Sequence, residues 1–249
     1  MRSWFKQKQT ILPQVPWGIH VDIHNHVLPA IDDGAQNLEQ SVFLLNGLAG
    51  LGFQKVLATP HIAAGIYSNN STSISTAFQE VKNSKYSESA LLTGFASEYM
   101  LDDYFDRLIQ EGLMCLPNLM QHKYVLVELP YMDLPRHWHD SIFEMRKAGY
   151  IPILAHPERY AYIKPSIMLD RFRSIGILFQ LNLLSLSGYY GKPIMQVAQC
   201  YLREGLYDFA ATDIHHENHL LGLQRMSLNH ELSEQIAAYP FKNNQVFLS

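Results

Sequence analysis

Short apolar runs alternate with helical patterns along most of the chain. Residues 19–24 ("IHVDIH") alternate apolar and polar side chains and predict a strand. Behind them Val42, Leu45, Leu48 and Ala49 recur at helical spacing within 38–51. The alternation repeats, with strands expected over 54–59, 90–99, 124–129, 150–155, 176–182 and 207–212. Helices are expected between them, near 74–83 and over 139–148, the latter stopping at Gly149. After the third strand, Leu101, Tyr104, Phe105, Leu108 and Ile109 share one helical face. Asp102 and Asp103 would stand in that helix's first turn, where the dipole favours negative charge. Near-continuous apolar strands, each followed by a helix, predict a parallel sheet covered on both faces. Seven such units without a glycine-rich dinucleotide loop favour an α/β barrel over an open doubly wound sheet. No linker or shift in composition divides the chain, so one domain is expected over 19–249, behind an N-terminal arm over 1–18.

Composition narrows the function classes. At 47% apolar residues, the 249-residue chain can bury a sizeable core. Formal charge is −4 and the basic residues form no stripe, which argues against nucleic acid as a partner. No apolar run has the length of a membrane span or signal peptide. Cys115 and Cys200 lie far apart, so no disulfide framework is expected and a reducing, cytoplasmic compartment fits. Both cysteines read as core residues. Neither is followed five positions on by arginine, which argues against a cysteine-nucleophile phosphatase.

The polar residues fall where the predicted strands end. The first strand runs into His24-Asn25-His26, the second into "TPHI" with His61, the third into Glu98 and the fourth into Glu128. The fifth ends in "AHPER", with His156 and Arg159, the sixth in Asn182, and the seventh in "TDIHH", with Asp213 and His215. Chemistry in α/β barrels sits at the carboxyl ends of the strands, because the loops that follow them build that face. In extended backbone, residues two apart point to one side. His24 and His26 can therefore face one ion, as can Asp213 and His215. A single histidine would read as a hydrogen-bonded structural residue; the registration of the whole set points to metal. Imidazole and carboxylate without thiolate suit Mn, Fe, Zn or Co. The donors exceed what one ion needs, so two or three ions are expected. Such a cluster generates hydroxide at neutral pH and clamps the oxygens of an in-line displacement. Of the paired aspartates before Gly34, Asp33 is the site candidate and Asp32 the turn residue.

In this order, HxH, DDG, TPH, AHPERY and TDxH form a specific combination. The stretch "VDIHNHVLPAIDDGAQNLEQSVFLLNGLAGLGFQKVLATPHI" resembles the bacterial PHP-domain metal-dependent protein tyrosine phosphatases associated with capsule and exopolysaccharide synthesis. The resemblance continues through "SEYMLDDYFDRL", "YVLVELPY", "FQLNLLSLSGYYG" and "DFAATDIHH". It implies a distorted (βα)7 TIM-like barrel holding divalent ions, usually manganese. The ligands it implies are His24, His26, His61, Glu98, Glu128, His156, Asp213 and His215. Asp33 would sit beside the cluster or ligate it, and Arg159 would grip the substrate phosphate. His215 or Asp33 would supply the leaving-group proton. The implied substrate is phosphotyrosine on a protein, and the implied counterpart a bacterial tyrosine kinase. A second arginine, expected shortly after the DxH element, is absent; Asn218, His219 and then Arg225 follow instead. Two alternatives accompany this reading. One is a small-molecule phosphatase resembling the PHP-type histidinol-phosphate phosphatases. The other is a metal-containing module that docks a partner through rim aromatics (Tyr99, Tyr131, Tyr160, Tyr189, Tyr190).

Overall fold

The computed structural model describes residues 17–118, 120–163 and 167–248. Most of the expected N-terminal arm, residues 1–16, lies outside the described residues. Trp17 is buried, packs edge-on against Phe53 and donates its indole N–H to Ser233 Oγ at 3.3 Å.

All described strand pairings in the two sheets are parallel. One sheet holds β1 (Val21–Asp22), β2 (Lys55–Ala58) and β4 (Leu92–Phe95), in that order. The other runs β3 (His61–Ile62), β5 (Glu98–Met100), β6 (Lys123–Glu128), β7 (Tyr150–Ala155), β8 (Leu178–Asn182) and β9 (Phe209–Ala211). Helices α1 (Leu38–Gly50), α2 (Ser71–Lys82), α3 (Phe105–Glu111) and α4 (Trp138–Lys147) connect the earlier strands. Helices α5 (Ile167–Ser174), α6 (Leu183–Leu186) and α7 (Lys192–Arg203) connect the later ones. Three more, α8 (Glu217–Ser227), α9 (His230–Ala238) and α10 (Asn243–Phe247), follow β9.

The expected strand over 90–99 is split in two, and the one expected over 54–59 is followed by a further short strand, β3. Pro60 has no N–H for a ladder, and it separates β2 from β3. The run over 90–99 breaks at Ala96-Ser97 into β4 and β5. Both breaks occur side by side. Ala96 N donates to Ala58 O at 2.8 Å, Glu98 N to Pro60 O at 3.0 Å, and Ser97 Oγ to Pro60 O at 2.8 Å. The chain thus steps from one sheet to the other twice, in register.

The first and last strand regions also meet. Asp213 N donates to His24 O at 2.8 Å and His26 N to Ile214 O at 2.9 Å. Thr59 N bonds Asn25 O at 3.0 Å on the other side. Helix α10 ties down the start of β1, with Asn243 Nδ2 donating to Val21 O at 3.0 Å.

Alternate side chains feed two apolar clusters. Val125, Val127 and Leu154 point into the larger one, where the helices pack. Val21, Ile23, Leu57, Leu126, Ile153 and Phe209 point into a smaller cluster among the strands, sealed by Phe247.

Two local expectations are corrected. Asp102 and Asp103 precede α3 instead of lying in its first turn, since the Asp102 carboxylate accepts from the N–H groups of Tyr104 (2.8 Å) and Phe105 (3.1 Å). Cys115 and Cys200 are half-buried at the margin of the larger cluster and are not core residues. The Cys200 thiol points away to Glu204 Oε1, 3.4 Å distant.

Candidate metal centre

The carboxyl ends of the strands bring the expected polar residues together. His24, His26, Glu98 and Asp213 are fully or almost fully buried, as are Glu128 and His156. His61 and His215 are partly open to a cleft of about 250 Å³, with Asp33 at its mouth. Ligand-capable atoms lie within 4.8 Å of one another in four overlapping groups among the described residues. These are His26/Asp33/His61/His215, His24/His26/Asp213, His24/Glu98/His156 and His61/Glu98/Glu128.

The hydrogen bonds around the cluster fix which imidazole atoms face inward. His215 Nδ1 lies 2.9 Å from the Asp213 carbonyl oxygen, which can only accept, so Nδ1 carries the proton. The Nδ1 of His24 lies 2.8 Å from Gln180 Oε1, and that of His26 lies 2.7 Å from Asp32 Oδ2. These three rings therefore turn Nε2 to the centre, the arrangement by which outer partners orient metal-ligating histidines. Inside, His24 Nε2 stands 3.0 Å from Glu98 Oε2 and 3.2 Å from Asp213 Oδ1. His26 Nε2 stands 3.3 Å from the same Glu98 oxygen. Glu98 Oε2 is buried and, despite these neighbours, has no hydrogen-bond partner of good geometry; the same holds for His61 Nδ1. Buried lone pairs converging on a shared centre fit a divalent cation.

Electrostatics agrees. Burial alone would push the His24 imidazole down, but the Glu98 and Asp213 carboxylates overcome it and raise it to about 9. Burial likewise disfavours charge on Glu98 and Asp213, yet His24 and its neighbours hold both well below the carboxylate range. Glu128 is raised by burial and by the charge of Glu98. Protons on imidazole thus balance carboxylates that a metal ion would otherwise neutralise.

Backbone conformation at two of these positions is unusual. His156 (φ 35°) and Asp213 (φ 51°) adopt left-handed backbone that L-residues rarely occupy. Gly34 answers a different constraint, because a Cβ there would collide with the carbonyl oxygen of His26. The glycine of DDG lets the Asp32 loop fold back onto His26, where Ala35 N bonds His26 O at 3.0 Å.

Arg159 lines the cleft beside the cluster. Its Nη1 donates to Asp213 Oδ2 at 2.7 Å, and Asn182 Nδ2 donates to the same oxygen at 2.8 Å. The guanidinium lies between two rings, with its carbon 4.5 Å from the Tyr190 centroid and 5.2 Å from that of Tyr131. Of the other aromatics expected at the rim, Tyr99 and Tyr160 are framework. Their hydroxyls accept from the N–H groups of Met114 (2.8 Å) and Leu129 (2.9 Å). Tyr189 borders a separate groove of about 540 Å³, which also takes Arg225. His219 lines the same cleft as Arg159.

Several contributors were not foreseen from the sequence. Asp32, read as a turn residue, has a buried side chain bonded to His26, which holds its carboxyl down at about 2 against the effect of burial. Gln180 orients His24; a polar residue in the middle of the apolar run "LFQLN" is the signal that could have found it. Glu158 is buried and accepts from Asn182 N (3.0 Å) and the Tyr207 hydroxyl (3.1 Å). Burial raises it to about 7, and it locks the His156–Arg159 turn to the end of β8. Asp22, also buried, accepts from Thr212 Oγ1 at 2.7 Å and Asn25 Nδ2 at 3.2 Å.

Fold and site together define a parallel α/β protein with a candidate metal centre of imidazoles and carboxylates at its strand ends. The chain belongs to the CpsB/CapC family of capsular polysaccharide synthesis, whose model matches residues 20–225. It is similar to the tyrosine-protein phosphatase YwqE of Bacillus subtilis, 29% identical over 199 residues, covering 78% of this chain and 77% of that protein. To the tyrosine-protein phosphatase CpsB of Streptococcus pneumoniae it is 25% identical over 203 residues, with 78% and 82% coverage. A solved structure aligns with a TM-score of 0.71 at 26% identity, covering 90% of this chain and 94% of the other. It comes from work on YwqE and CpsB described as unique metal-dependent tyrosine phosphatases.

Proposed function

We propose that this chain hydrolyses phosphotyrosine on proteins with a divalent metal centre, opposing a tyrosine kinase of capsule or exopolysaccharide synthesis. The observation that carries the reading is the set of three imidazoles, His24, His26 and His215, whose Nδ1–H groups are committed outward. The Nε2 atoms of His24 and His26 face the buried Glu98 and Asp213 carboxylates, and that of His215 faces Asp33. His24, His26, His61, Glu98, Glu128, His156, Asp213 and His215 are the proposed ligands, with Asp33 at the edge. The four overlapping donor groups suit two or three ions, manganese foremost. A distorted (βα)7 TIM-like barrel of the PHP type is the proposed architecture, supported by the backbone bonds that link the two sheets and join first to last strand regions. Two free, half-buried thiols suit the cytoplasm.

Such ions, when bound, supply an activated water and neutralise charge on the phosphoryl oxygens. Arg159, restrained between Tyr131 and Tyr190, donates to a phosphoryl oxygen with its planar fork. His215, whose Nδ1 faces the Asp213 carbonyl oxygen, and Asp33, half exposed at the mouth, are the two residues placed to act as the acid toward the leaving group. Phenolate, with a pKa near ~10, asks little of that acid.

The test combines elemental analysis of purified protein with turnover on a phosphotyrosine peptide and on histidinol phosphate. Chelation should abolish hydrolysis, manganese should restore it, and the peptide should be the better substrate. Joint replacement His24→Ala and His26→Ala should remove bound metal and cut turnover by roughly 10³-fold, the equivalent of ~4 kcal/mol. Full activity after chelation would overturn the metal reading.

A further inference from the structure

We propose that His219 grips a phosphoryl oxygen of the substrate through a neutral Nε2–H, and that it is not a metal ligand. This rests on the phosphatase reading above. His219 lies in the first turn of α8, four residues beyond His215. The backbone N–H of His215 donates to its Nδ1 at 3.2 Å. A backbone amide can only donate, so Nδ1 supplies the lone pair and the proton of the neutral ring sits on Nε2. This is the reverse of His24, His26 and His215, whose Nδ1 atoms carry the proton. One ring in a wall of inward-facing acceptors is thereby turned into a donor.

The ring cannot easily reorient to change that polarity. It is 8% exposed, with the His216 ring 4.0 Å away and the Tyr189 ring edge-on at 5.1 Å. Its Nε2 has no hydrogen-bond partner among the described residues. The side chain lines the same cleft as Arg159 and Tyr190. A fixed N–H without a partner, beside a guanidinium and a metal centre, calls for an anionic oxygen. Arg225 lines the neighbouring groove instead.

Two measurements test the assignment. In metal-free protein labelled with ¹⁵N-histidine, the His219 resonances should report the Nε2–H tautomer; an Nδ1–H tautomer would overturn the proposal. In the metal-loaded enzyme, inorganic phosphate should compete with substrate. The variant His219→Asn keeps an acceptor near the Nδ1 position but has nothing at Nε2. It should weaken phosphate inhibition by about tenfold or more, with metal content unchanged. Phosphate inhibition within twofold of wild type, or a variant that loses metal, would overturn the proposal. A wild-type enzyme that neither turns over nor binds phosphate would sink the phosphatase reading itself, and this inference with it.

Discussion

The smaller apolar cluster and the candidate metal centre are built from the same strands at opposite ends. In β6, Leu126 points into the apolar cluster, and Glu128, two residues on, reaches the centre. In β8, Leu178 packs against the cluster while Gln180 holds His24. The two ends obey different rules. Apolar contact is non-directional, so the lower end needs volume and little else. At the upper end each lone pair needs a partner at a set angle, and three of the five rings there have an oxygen behind them. Packing at one end holds the geometry that the other end spends in burying charge.

Four changes would break or sharpen that contrast. Phe209→Ala, in the apolar cluster, should destabilise by ~3–5 kcal/mol, read by denaturant unfolding, and leave metal content per folded molecule unchanged. Asp32→Asn, behind His26, should do the opposite. Stability should fall less than for Phe209→Ala, while metal affinity falls about 10–100-fold in competition with a chelator. Alkali should act on the frame through buried phenols. Burial raises Tyr99 to about 12 and Tyr207 above its ordinary value. Unfolded phenols ionise near ~10, so the native state holds protons that the unfolded state has lost. The Tyr99 contribution is complete below that point and fades as pH rises through about 12, which alkaline unfolding curves should show. Replacing Cys115 and Cys200 together by serine should leave turnover within about twofold, since neither lines the cleft. Burial raises the Cys115 thiol, consistent with an unreactive role.

The inward residues of the centre were legible because strand ends are legible: an apolar run stops and a histidine or acid follows. Their outer partners were not. Asp32 and Asp33 are neighbours of identical chemistry, and only the fold of the loop against Gly34 decides which turns inward. Gln180 interrupts an apolar run and Asp22 falls in step with the polar positions of its strand, and neither pattern says what the side chain holds. The split of the expected third strand at Ala96-Ser97 was equally hidden, because its cause lies in another segment, at Pro60. His219 could be named from its position but not assigned, since its polarity depends on one bond to the His215 amide.

The bonds between His24 and Asp213, and between His26 and Ile214, also bear on the order of events during synthesis. A nascent chain carries HxH out of the ribosome long before Asp213 and His215 exist. The α10 contact that anchors β1 arrives later still. A centre stitched from both halves of the sequence is a high-contact-order object, formed late. The candidate centre therefore closes only once both halves of the chain have met.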